Sequence, residues 1–366
     1  MGIEICTVGG YNEVGKNMTA VKVDDEVVIL DMGLYLEKYI RYTEDEDIVN
    51  LTGVDLIKVG AVPNINKIKD WWGKVKAIVP THAHLDHIGA IPFLAGNFNA
   101  PVIGTPFTME VLKLILKNEK INLKNQLKVL GSGMKLRISK NLEIEFINIT
   151  HSTPQTVMIA IHTKYGIVIY ANDFKFDKYP VLGEKPDFKR LEQLGKKGVI
   201  SLIVDSTYAS SAKKTPSESV AREMLKDVLL GTDSRKRAII VTTFSSHLAR
   251  LKSIIEFGKK LNRKIIFMGR SLGRYTEAGE NVGLIKFSKD VEIVKYSKKI
   301  KKKLKSISKD IHKYLLVVTG HQGELNATLS KMVDQDIGYK LKSEDHIIFS
   351  CTTIPTPTNI ANRTAL

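Results

Sequence analysis

The sequence predicts an α/β protein with a mixed sheet sandwich covered by helices, followed by a second half built on a largely parallel sheet. The chain has 366 residues, which is enough for two domains of ordinary size. Short β-rich runs and tight turns fill the first half, and strands and helices alternate more regularly from about residue 199 onwards. These observations together predict two domains with different sheets.

The first half opens with a pattern typical of hairpins, because glycine and aspartate turns separate its first three β-rich runs. Helical patterns lie between some of the later strands. The predicted strands are residues 3–8, 18–23, 26–31, 76–80, 142–149, 157–162 and 167–170. The predicted helices are residues 64–72, 87–96 and 105–118.

The second half has βα units, which indicate parallel strands. Its predicted strands are residues 199–204, 238–243, 264–268, 314–318 and 346–350, and its predicted helices are residues 217–230, 247–261 and 325–332. Small, hydroxyl and imidazole side chains follow these strands, at the sheet edge where ligands bind in open α/β folds. Ser245, Ser246 and His247 are therefore candidate phosphate contacts, with a helix cap and a surface histidine as the open alternative. His321, in a glycine-flanked loop, could join them but is not expected to be a metal ligand.

The charge balance favours a polyanionic partner such as nucleic acid. Lysine and arginine number 55 against 39 acidic residues, which gives a net charge of +16. Residues 298–305 contain six lysines in eight positions, which indicates either an RNA-contacting segment or a solvated helix face. Solvated surface lysines remain the general alternative to a nucleic-acid partner.

The composition also bears on the compartment. Cys6 and Cys351 are too few for a disulfide framework or a cysteine zinc site, which favours a reducing cytoplasm. No apolar run approaches the roughly 18 residues of a membrane span, so no membrane partner is expected. The early acid Glu4 and the lack of a basic N-terminal region are unlike a signal peptide.

The strongest chemical signal is the segment of residues 81–87, with the sequence THAHLDH, which follows an apolar strand. Three imidazoles and a carboxylate in six residues suit metal ligation, and their chemistry favours zinc over manganese or iron. The loop can direct two imidazoles at one ion, and the next helical turn can direct a carboxylate and an imidazole at a second ion. The candidate ligands are His82, His84, Asp86 and His87.

Further ligands are expected at other strand ends. His151 follows the strand of residues 142–149, and Asp173 follows that of residues 167–170, where a carboxylate could bridge two cations. Asp31, at the end of another strand, is expected to hold the motif loop or a ligand imidazole. Two metals about 3.5–4 Å apart support hydroxide attack at phosphorus.

These residues resemble the metallo-β-lactamase superfamily, whose motif is His-x-His-x-Asp-His. The second half resembles the beta-CASP insertion of its nucleic-acid-processing branch, and Asp205, an acid after a strand, is similar to the first beta-CASP motif. Four stretches further resemble ribonuclease J, above all its archaeal form. They are residues 9–19, 150–154, 269–271 and 319–324.

The resemblance implies a metallo-β-lactamase αββα sandwich with an inserted beta-CASP domain. The expected domains are residues 1–198 for the first part of the sandwich, 199–352 for beta-CASP and 353–366 for the start of the return. It also implies a 5′-to-3′ exoribonuclease, in some members an endonuclease too, with two zinc ions and a homodimeric state. His82, His84 and His151 would hold one zinc, Asp86 and His87 the other, and Asp173 would bridge them.

The same resemblance assigns roles in catalysis and RNA binding. Asp86, Asp173 and Asp205 are the carboxylates expected to take part in catalysis. RNA would lie in a cleft between the domains, with its 5′ phosphate gripped by the rims. The assignment of Ser245, Ser246, His247 and His321 to these rims rests on their placement in the sequence and not on the resemblance.

The family pattern includes two late histidine motifs after the beta-CASP insertion. Neither motif is found in this sequence, whose last histidine is His346. We expect a weakened second zinc site, an Asp205 without its partner, exposed strand edges, and reduced activity unless a separate chain supplies the rest. A non-catalytic RNA-binding protein and a metallo-β-lactamase hydrolase of small esters therefore remain alternatives. Salt-sensitive RNA binding without cleavage would favour the first, and salt-insensitive binding the second.

Overall fold

The computed structural model describes residues 1–45, 51–324, 326–334 and 337–366. These residues form two compact units. Unit 1 comprises Met1–Lys178 and Glu184–Thr215, and unit 2 comprises Tyr179–Gly183 and Pro216–Leu366. The expected family domain boundaries at residues 198 and 352 stay a prediction, because the units describe contacts alone. No helix in the described ranges is long and apolar enough to cross a bilayer.

Unit 1 contains two sheets. The strands of sheet 1 are β1 (Ile3–Gly9), β2 (Met18–Val23), β3 (Glu26–Leu30), β4 (Val75–Val79), β5 (Val102–Gly104) and β6 (Leu127–Val129), in that spatial order. The strands of sheet 2 are β7 (Lys135–Arg137), β8 (Glu143–Asn148), β9 (Val157–Thr163), β10 (Gly166–Ala171) and β11 (Val199–Val204), in the order β11-β10-β9-β8-β7. The first three strands pair antiparallel and β3–β6 pair in parallel, so sheet 1 is mixed as expected.

The two sheets face each other across one apolar core. Val28 and Leu30 of sheet 1 and Phe146, Ile159 and Val168 of sheet 2 belong to the same buried cluster. Period-two alternation directs these side chains inward, and full burial of each contributes roughly 1.5–3 kcal/mol. The sandwich follows from the alternation in both sheets.

Helices and helical turns cover the outer faces of the sandwich. Those of unit 1 are α1 (Leu36–Asp45), α2 (Gly53–Lys58), α3 (Leu85–Ile88), α4 (Ile91–Leu94), α5 (Pro106–Asn118) and α6 (Phe188–Gly198), with 3₁₀ segments at Ile65–Lys74 and Ala95–Asn97. Helix α5 packs on β5 and β6, and Leu194 of α6 packs on the outer face of sheet 2. The layers are therefore αββα.

Two predicted helices of unit 1 differ from the structure. Residues 64–72 lie in a kinked 3₁₀ segment, with non-helical dihedral angles at Ile68. The predicted helix over residues 87–96 is divided into α3, α4 and a 3₁₀ turn. Gly89 ends α3, and Pro92 lies in the first turn of α4, where its ring is tolerated. These two residues explain the division.

Strand β11 is the edge strand of sheet 2 and pairs in parallel with β10. The sequence pattern groups it with the second half, but its contacts are in unit 1. Ile200, Leu202 and Val204 on this strand are about half exposed. The apolar run that predicts a buried strand of a parallel sheet therefore forms a half-exposed edge instead.

Unit 2 is built on sheet 3, whose five strands are all parallel. They are β12 (Ile239–Thr242), β13 (Lys264–Met268), β14 (Val291–Val294), β15 (Tyr314–Val318) and β16 (His346–Phe349), in the order β14-β13-β15-β12-β16. Its helices are α7 (Glu218–Gly231), α8 (Leu248–Lys260), α9 (Arg270–Asn281), α10 (Ser297–Ile307), α11 (Thr328–Val333) and α12 (Pro357–Ala365), with 3₁₀ segments at Phe287–Lys289 and Ser308–Lys313. The predicted parallel sheet is present, and the predicted start of α11 at residue 325 lies outside the described residues.

The lysine-rich stretch forms helix α10. Its apolar residues Ile300, Leu304 and Ile307 are buried in the core of unit 2. The lysines at positions 298, 299, 301, 302 and 305 are exposed. The period of 3.6 residues therefore separates an apolar stripe from a cationic face.

Candidate metal centre

The metal-ligand candidates of unit 1 lie on loops that leave three strands. Residues 81–87 follow β4, His151 follows β8, and Asp173 follows β10. A hydrogen bond of 3.1 Å from the Val157 amide to the Thr81 carbonyl joins the motif loop to sheet 2. His82 and His87 are fully buried, whereas the other candidate ligands are partly exposed.

The first donor set consists of His82, His84, His151 and Asp173. His84 Nδ1 lies 3.0 Å from His82 Nε2 and 3.2 Å from His151 Nε2. Asp173 Oδ2 lies 3.5 Å from His151 Nε2 and 3.9 Å from His82 Nε2. Ligand atoms in a tetrahedron around a zinc ion are about 3.3 Å apart, since each lies about 2.0–2.1 Å from the ion. This spacing fits one tetrahedral ion.

The second donor set consists of Asp86, His87 and Asp173, so the two sets share one carboxylate. His87 Nε2 lies 3.5 Å from Asp86 Oδ2 and 3.6 Å from Asp173 Oδ2. Three ligand atoms at these separations would leave room for water or substrate at an ion, as catalytic sites require. The residues present therefore fit two neighbouring cations.

The electrostatics of the cluster favour metal binding. Burial, together with repulsion between neighbouring imidazoles, lowers the pKa of His82 well below its ordinary value, that of His84 to about 3, and that of His151. Burial, the largest single effect, would raise the pKa of Asp173, but attraction to His87, His151 and His84 together outweighs burial and lowers it. Neutral imidazoles and an ionised carboxylate are the forms that bind zinc.

His87 differs from the other imidazoles. Burial alone would lower its pKa, but the carboxylates of Asp86, Asp31 and Asp173 raise it well above the ordinary value. A positive charge is therefore favoured at this position between carboxylates, and a bound cation can supply that charge in place of the proton.

Asp31 contacts the motif loop through hydrogen bonds. Its carboxylate is fully buried, accepts hydrogen bonds from the Thr81 amide and hydroxyl, and lies 2.9 Å from His87 Nδ1. The Thr81 hydroxyl donates to Asp31 and can then accept from Nδ1–H of His82 at 2.9 Å, which leaves Nε2 free for a metal. Asp31 has φ of +58°, a left-handed conformation that is costly for a residue with a Cβ atom.

Three supporting residues escaped sequence reasoning. The Asn17 side-chain amide donates to the Asp86 carbonyl at 3.1 Å and lies 3.2 Å from His87 Nε2. Ser152 Oγ lies 3.3 Å from His84 Nε2, and the Asn172 amide donates to Asp31 Oδ2 at 3.2 Å. Ser152 and Asn172 adjoin candidate ligands in sequence, which is a usable signal, whereas Asn17 is marked only by its place in the stretch of residues 9–19.

Gly33 lies where two backbone segments touch. A Cβ atom at this residue would lie 1.5 Å from the Asp86 carbonyl oxygen and 2.7 Å from the His87 amide nitrogen. The flanking amides of Met32 and Leu34 donate to the carbonyls of His87 and Leu85 at 2.7 and 2.9 Å. The backbone that carries two candidate ligands is therefore held directly against a glycine.

Asp205 follows β11, next to the strand that leads to Asp173. Its backbone amide donates to the Ala171 carbonyl at 3.2 Å, and its Oδ1 accepts from the Thr207 amide and hydroxyl at 2.9 and 2.6 Å. Burial raises the pKa of Tyr208, and the charges of Asp205 and Asp173 raise it further. The negative charge of Asp205 also raises the pKa of His151, against the larger lowering by burial, so this charge acts on the cluster.

The remaining candidates lie in unit 2, at the carboxyl edge of sheet 3. Ser245 and Ser246 are buried, and Ser245 Oγ lies 2.9 Å from Ser271 Oγ. His247 is the N-cap of α8 and lies 3.4 Å from Glu218. His321 packs on Phe244, with ring centroids 4.1 Å apart. Both the phosphate contacts and the cap alternative for residues 245–247 therefore stay predictions.

Comparison with known families agrees with the fold. Residues 60–185 match the domain family described as a beta-lactamase superfamily domain, and residues 236–365 match the one described as "Ribonuclease J, beta-CASP domain". The chain therefore combines a metallo-β-lactamase domain with a beta-CASP domain. The fold class predicted from the sequence is confirmed.

Comparison with whole proteins is more specific. The chain is 46% identical over 365 residues to "Ribonuclease J" of Methanocaldococcus jannaschii, covering 99% of this chain and 81% of that protein. It is 44% identical over 366 residues to "Ribonuclease J" of Pyrococcus abyssi, covering all of this chain and 80% of that protein. "Ribonuclease J 1" of Streptococcus pyogenes is 33% identical over 364 residues. The chain belongs to the ribonuclease J family and is by family a hydrolase that acts on RNA.

A solved structure supports the fold alone. The crystal structure of a protein of unknown function from Enterococcus faecalis matches 94% of this chain and 88% of its own, with a TM-score of 0.58 and 15% identity.

Proposed function

We propose that this protein is a zinc-dependent ribonuclease that removes nucleotides from the 5′ end of 5′-monophosphorylated RNA, with internal cleavage as a second activity of the same site. The observation that carries this proposal is the convergence of two donor sets on one shared carboxylate, Asp173 Oδ2. Membership of the ribonuclease J family supports the substrate class, and the donor chemistry supports zinc.

The candidate ligands form two sets, each of which would hold one ion. His82, His84 and His151 would hold one ion, Asp86 and His87 the other, and Asp173 both. When bound, a pair of such cations lowers the pKa of water and neutralises phosphate oxygens. Asp31 and Thr81 would keep the imidazole of His82 in the tautomer that binds metal.

Asp205 is suited to a proton transfer. Thr207 holds its Oδ1, while Oδ2 has no hydrogen-bond partner among the described residues. The free oxygen can accept a proton from the attacking water and return it to the leaving 3′ oxygen. Hydrolysis then yields a nucleoside 5′-monophosphate and an RNA shortened by one nucleotide with a new 5′ phosphate.

The proposal is tested with one RNA sequence that carries different 5′ ends. The zinc-loaded protein should release mononucleotides from 5′-monophosphorylated RNA about 10- to 100-fold faster than from 5′-hydroxyl RNA, the effect of one or two hydrogen bonds to a charged group. Chromatography of labelled products separates mononucleotides from internal fragments. Equal rates for both ends with internal fragments alone would contradict the exonuclease assignment, and absence of hydrolysis would contradict the nuclease.

RNA binding is expected to depend on the cationic face of α10. Lys303 pairs with Glu292 at 2.5 Å, whereas four exposed lysines of this helix have neither an ion pair nor a ring contact among the described residues. These four are Lys298, Lys301, Lys302 and Lys305. Their replacement by glutamine should weaken single-stranded RNA binding and reduce the slope of log K against log salt by about 0.7 per lost phosphate contact.

Fluorescence anisotropy at several salt concentrations measures this slope. The control variant has the same charge change in unit 1, with glutamine at Lys117, Lys120, Lys124 and Lys128. A slope lowered equally in both variants would assign the effect to net charge, and the cationic face would then have no specific part in RNA binding.

A further inference from the structure

An aromatic cluster includes two residues of the segment that follows Asp173, and the chemistry proposed above does not use it. Phe174, Phe176 and Phe188 form this cluster, with centroids 5.1 Å apart for the first pair and 5.4 Å for the second. Phe174 packs against the outer core of sheet 2, whereas Phe176 and Phe188 are 52% and 40% exposed. Two neighbouring phenylalanines with that exposure form an apolar patch that a ligand can cover.

The segment that carries Phe176 is anchored to both ligand-bearing loops of sheet 2. It begins next to Asp173, and its Lys175 forms a β-bridge with Thr150, the neighbour of His151. The Lys175 amide donates to the Thr150 carbonyl at 2.8 Å, and the Asp177 amide donates to Thr150 Oγ1 at 3.1 Å. The aromatic rings are therefore held in a fixed position relative to candidate ligands.

Positive charge lies at the border of the same patch. Lys178 Nζ lies 5.7 Å from the Phe188 ring centroid, and the side chains of Lys178 and Lys189 are exposed. Exposed rings bordered by lysines are the combination that binds single-stranded nucleic acid, since bases stack on the rings and phosphates pair with the ammonium groups. A purely apolar protein partner would not use these charges.

We propose that Phe176 and Phe188 form a stacking platform for unpaired nucleobases of the RNA bound at the metal centre. The inference rests on the proposed ribonuclease function and adds to it a surface that binds unpaired bases. Bases within a duplex are already stacked on each other, so a duplex cannot use the platform. The platform thus discriminates by base pairing and not by sequence, because every base has a π-face.

The experiment measures stacking directly. A single-stranded 2′-O-methyl oligoadenylate with one 2-aminopurine per molecule, in a series of positions, is titrated with the full protein. Stacking on the platform should quench the fluorescence at one or two positions. Phe176→Leu and Phe188→Leu should each remove that quenching and weaken binding about 5- to 100-fold, while Phe176→Tyr should retain both.

Two controls separate stacking from general effects. Tyr165→Leu removes another exposed aromatic ring of unit 1, which also lies near a lysine at 5.0 Å, and should leave quenching unchanged. A blunt-ended duplex of the same length should bind both leucine variants with unchanged affinity. Thermal unfolding of each variant verifies that the fold is kept.

Each outcome decides the inference. Position-specific loss of quenching in the leucine variants, with an intact tyrosine variant, supports the platform. Unchanged quenching in both leucine variants, or equal loss of single-strand and duplex affinity, overturns the platform but leaves the ribonuclease proposal standing. Failure of the unaltered protein to bind any RNA overturns the two proposals together.

Discussion

Replacement of both His82 and His84 by alanine is expected to remove the first metal site and RNA hydrolysis with it. Loss of a residue that only supports a ligand lowers metal affinity or activity about 10- to 100-fold. Loss of two ligands should therefore lower both the metal affinity and the hydrolysis rate by more than about 100-fold. The reason is that His84 Nδ1 lies within 3.2 Å of both other imidazole nitrogens and thus at the centre of the donor set. Zinc per chain, measured by mass spectrometry, and the hydrolysis rate of labelled RNA are the two readouts.

The matched control replaces two histidines of unit 2, His312 and His346, with alanine. These side chains belong to neither donor set, so zinc content and rate should stay within twofold of the unaltered protein, about the change for surface positions. Full zinc content in the His82 and His84 variant would contradict the first site. A normal hydrolysis rate with reduced zinc content would instead show that hydrolysis does not require that site.

Gly33→Ala is expected to cause the second large effect, because the new methyl group has no space. A contact of 1.5 Å with the Asp86 carbonyl oxygen requires movement of the backbone that carries Asp86 and His87. Overpacking costs typically 1–3 kcal/mol, and a clash with backbone should reach or exceed about 3 kcal/mol. Urea unfolding measures the free energy of unfolding, and zinc titration measures the second site, whose affinity should fall at least tenfold.

Gly73→Ala is the control, since a Cβ atom there meets nothing within 4 Å. Its free energy of unfolding should change by less than about 0.5 kcal/mol, as at other surface positions. If both variants unfold at the same urea concentration and bind zinc equally, the packing of residue 33 against the motif loop does not control the site.

Much of the candidate site is predictable from local sequence. The motif of residues 82–87 combines residue types that need partners when buried. A strand precedes the motif, another precedes His151 and a third precedes Asp173, and each is recognisable from its apolar run. Strand ends converge in a sandwich, so placement after a strand predicts placement in the site. The position of Asp31 follows from the same rule, although its left-handed backbone does not.

The rest depends on tertiary contacts that leave no local signal. Asn17 meets Asp86 and His87 across 69 and 70 positions of sequence, in a loop whose glycines predict only turns. Phe176 and Phe188 lie between charged residues in the sequence, and nothing in that local pattern shows that their rings contact each other at the surface. Strand β11 has the pattern of a buried parallel strand, and only its pairing with β10 assigns it to unit 1. Pairing partners and exposure are properties of the assembled fold.

The chain order of the strands has a consequence for synthesis on the ribosome. Every strand of the sandwich has emerged once residue 204 is free, so the loops with His82, His151 and Asp173 can assemble while unit 2 is still being translated. Sheet 3 behaves differently, because its first strand, β12, pairs with its last, β16, more than a hundred residues later. Such distant parallel pairing closes slowly. We therefore expect the candidate ligands of unit 1 to come together before sheet 3 is complete.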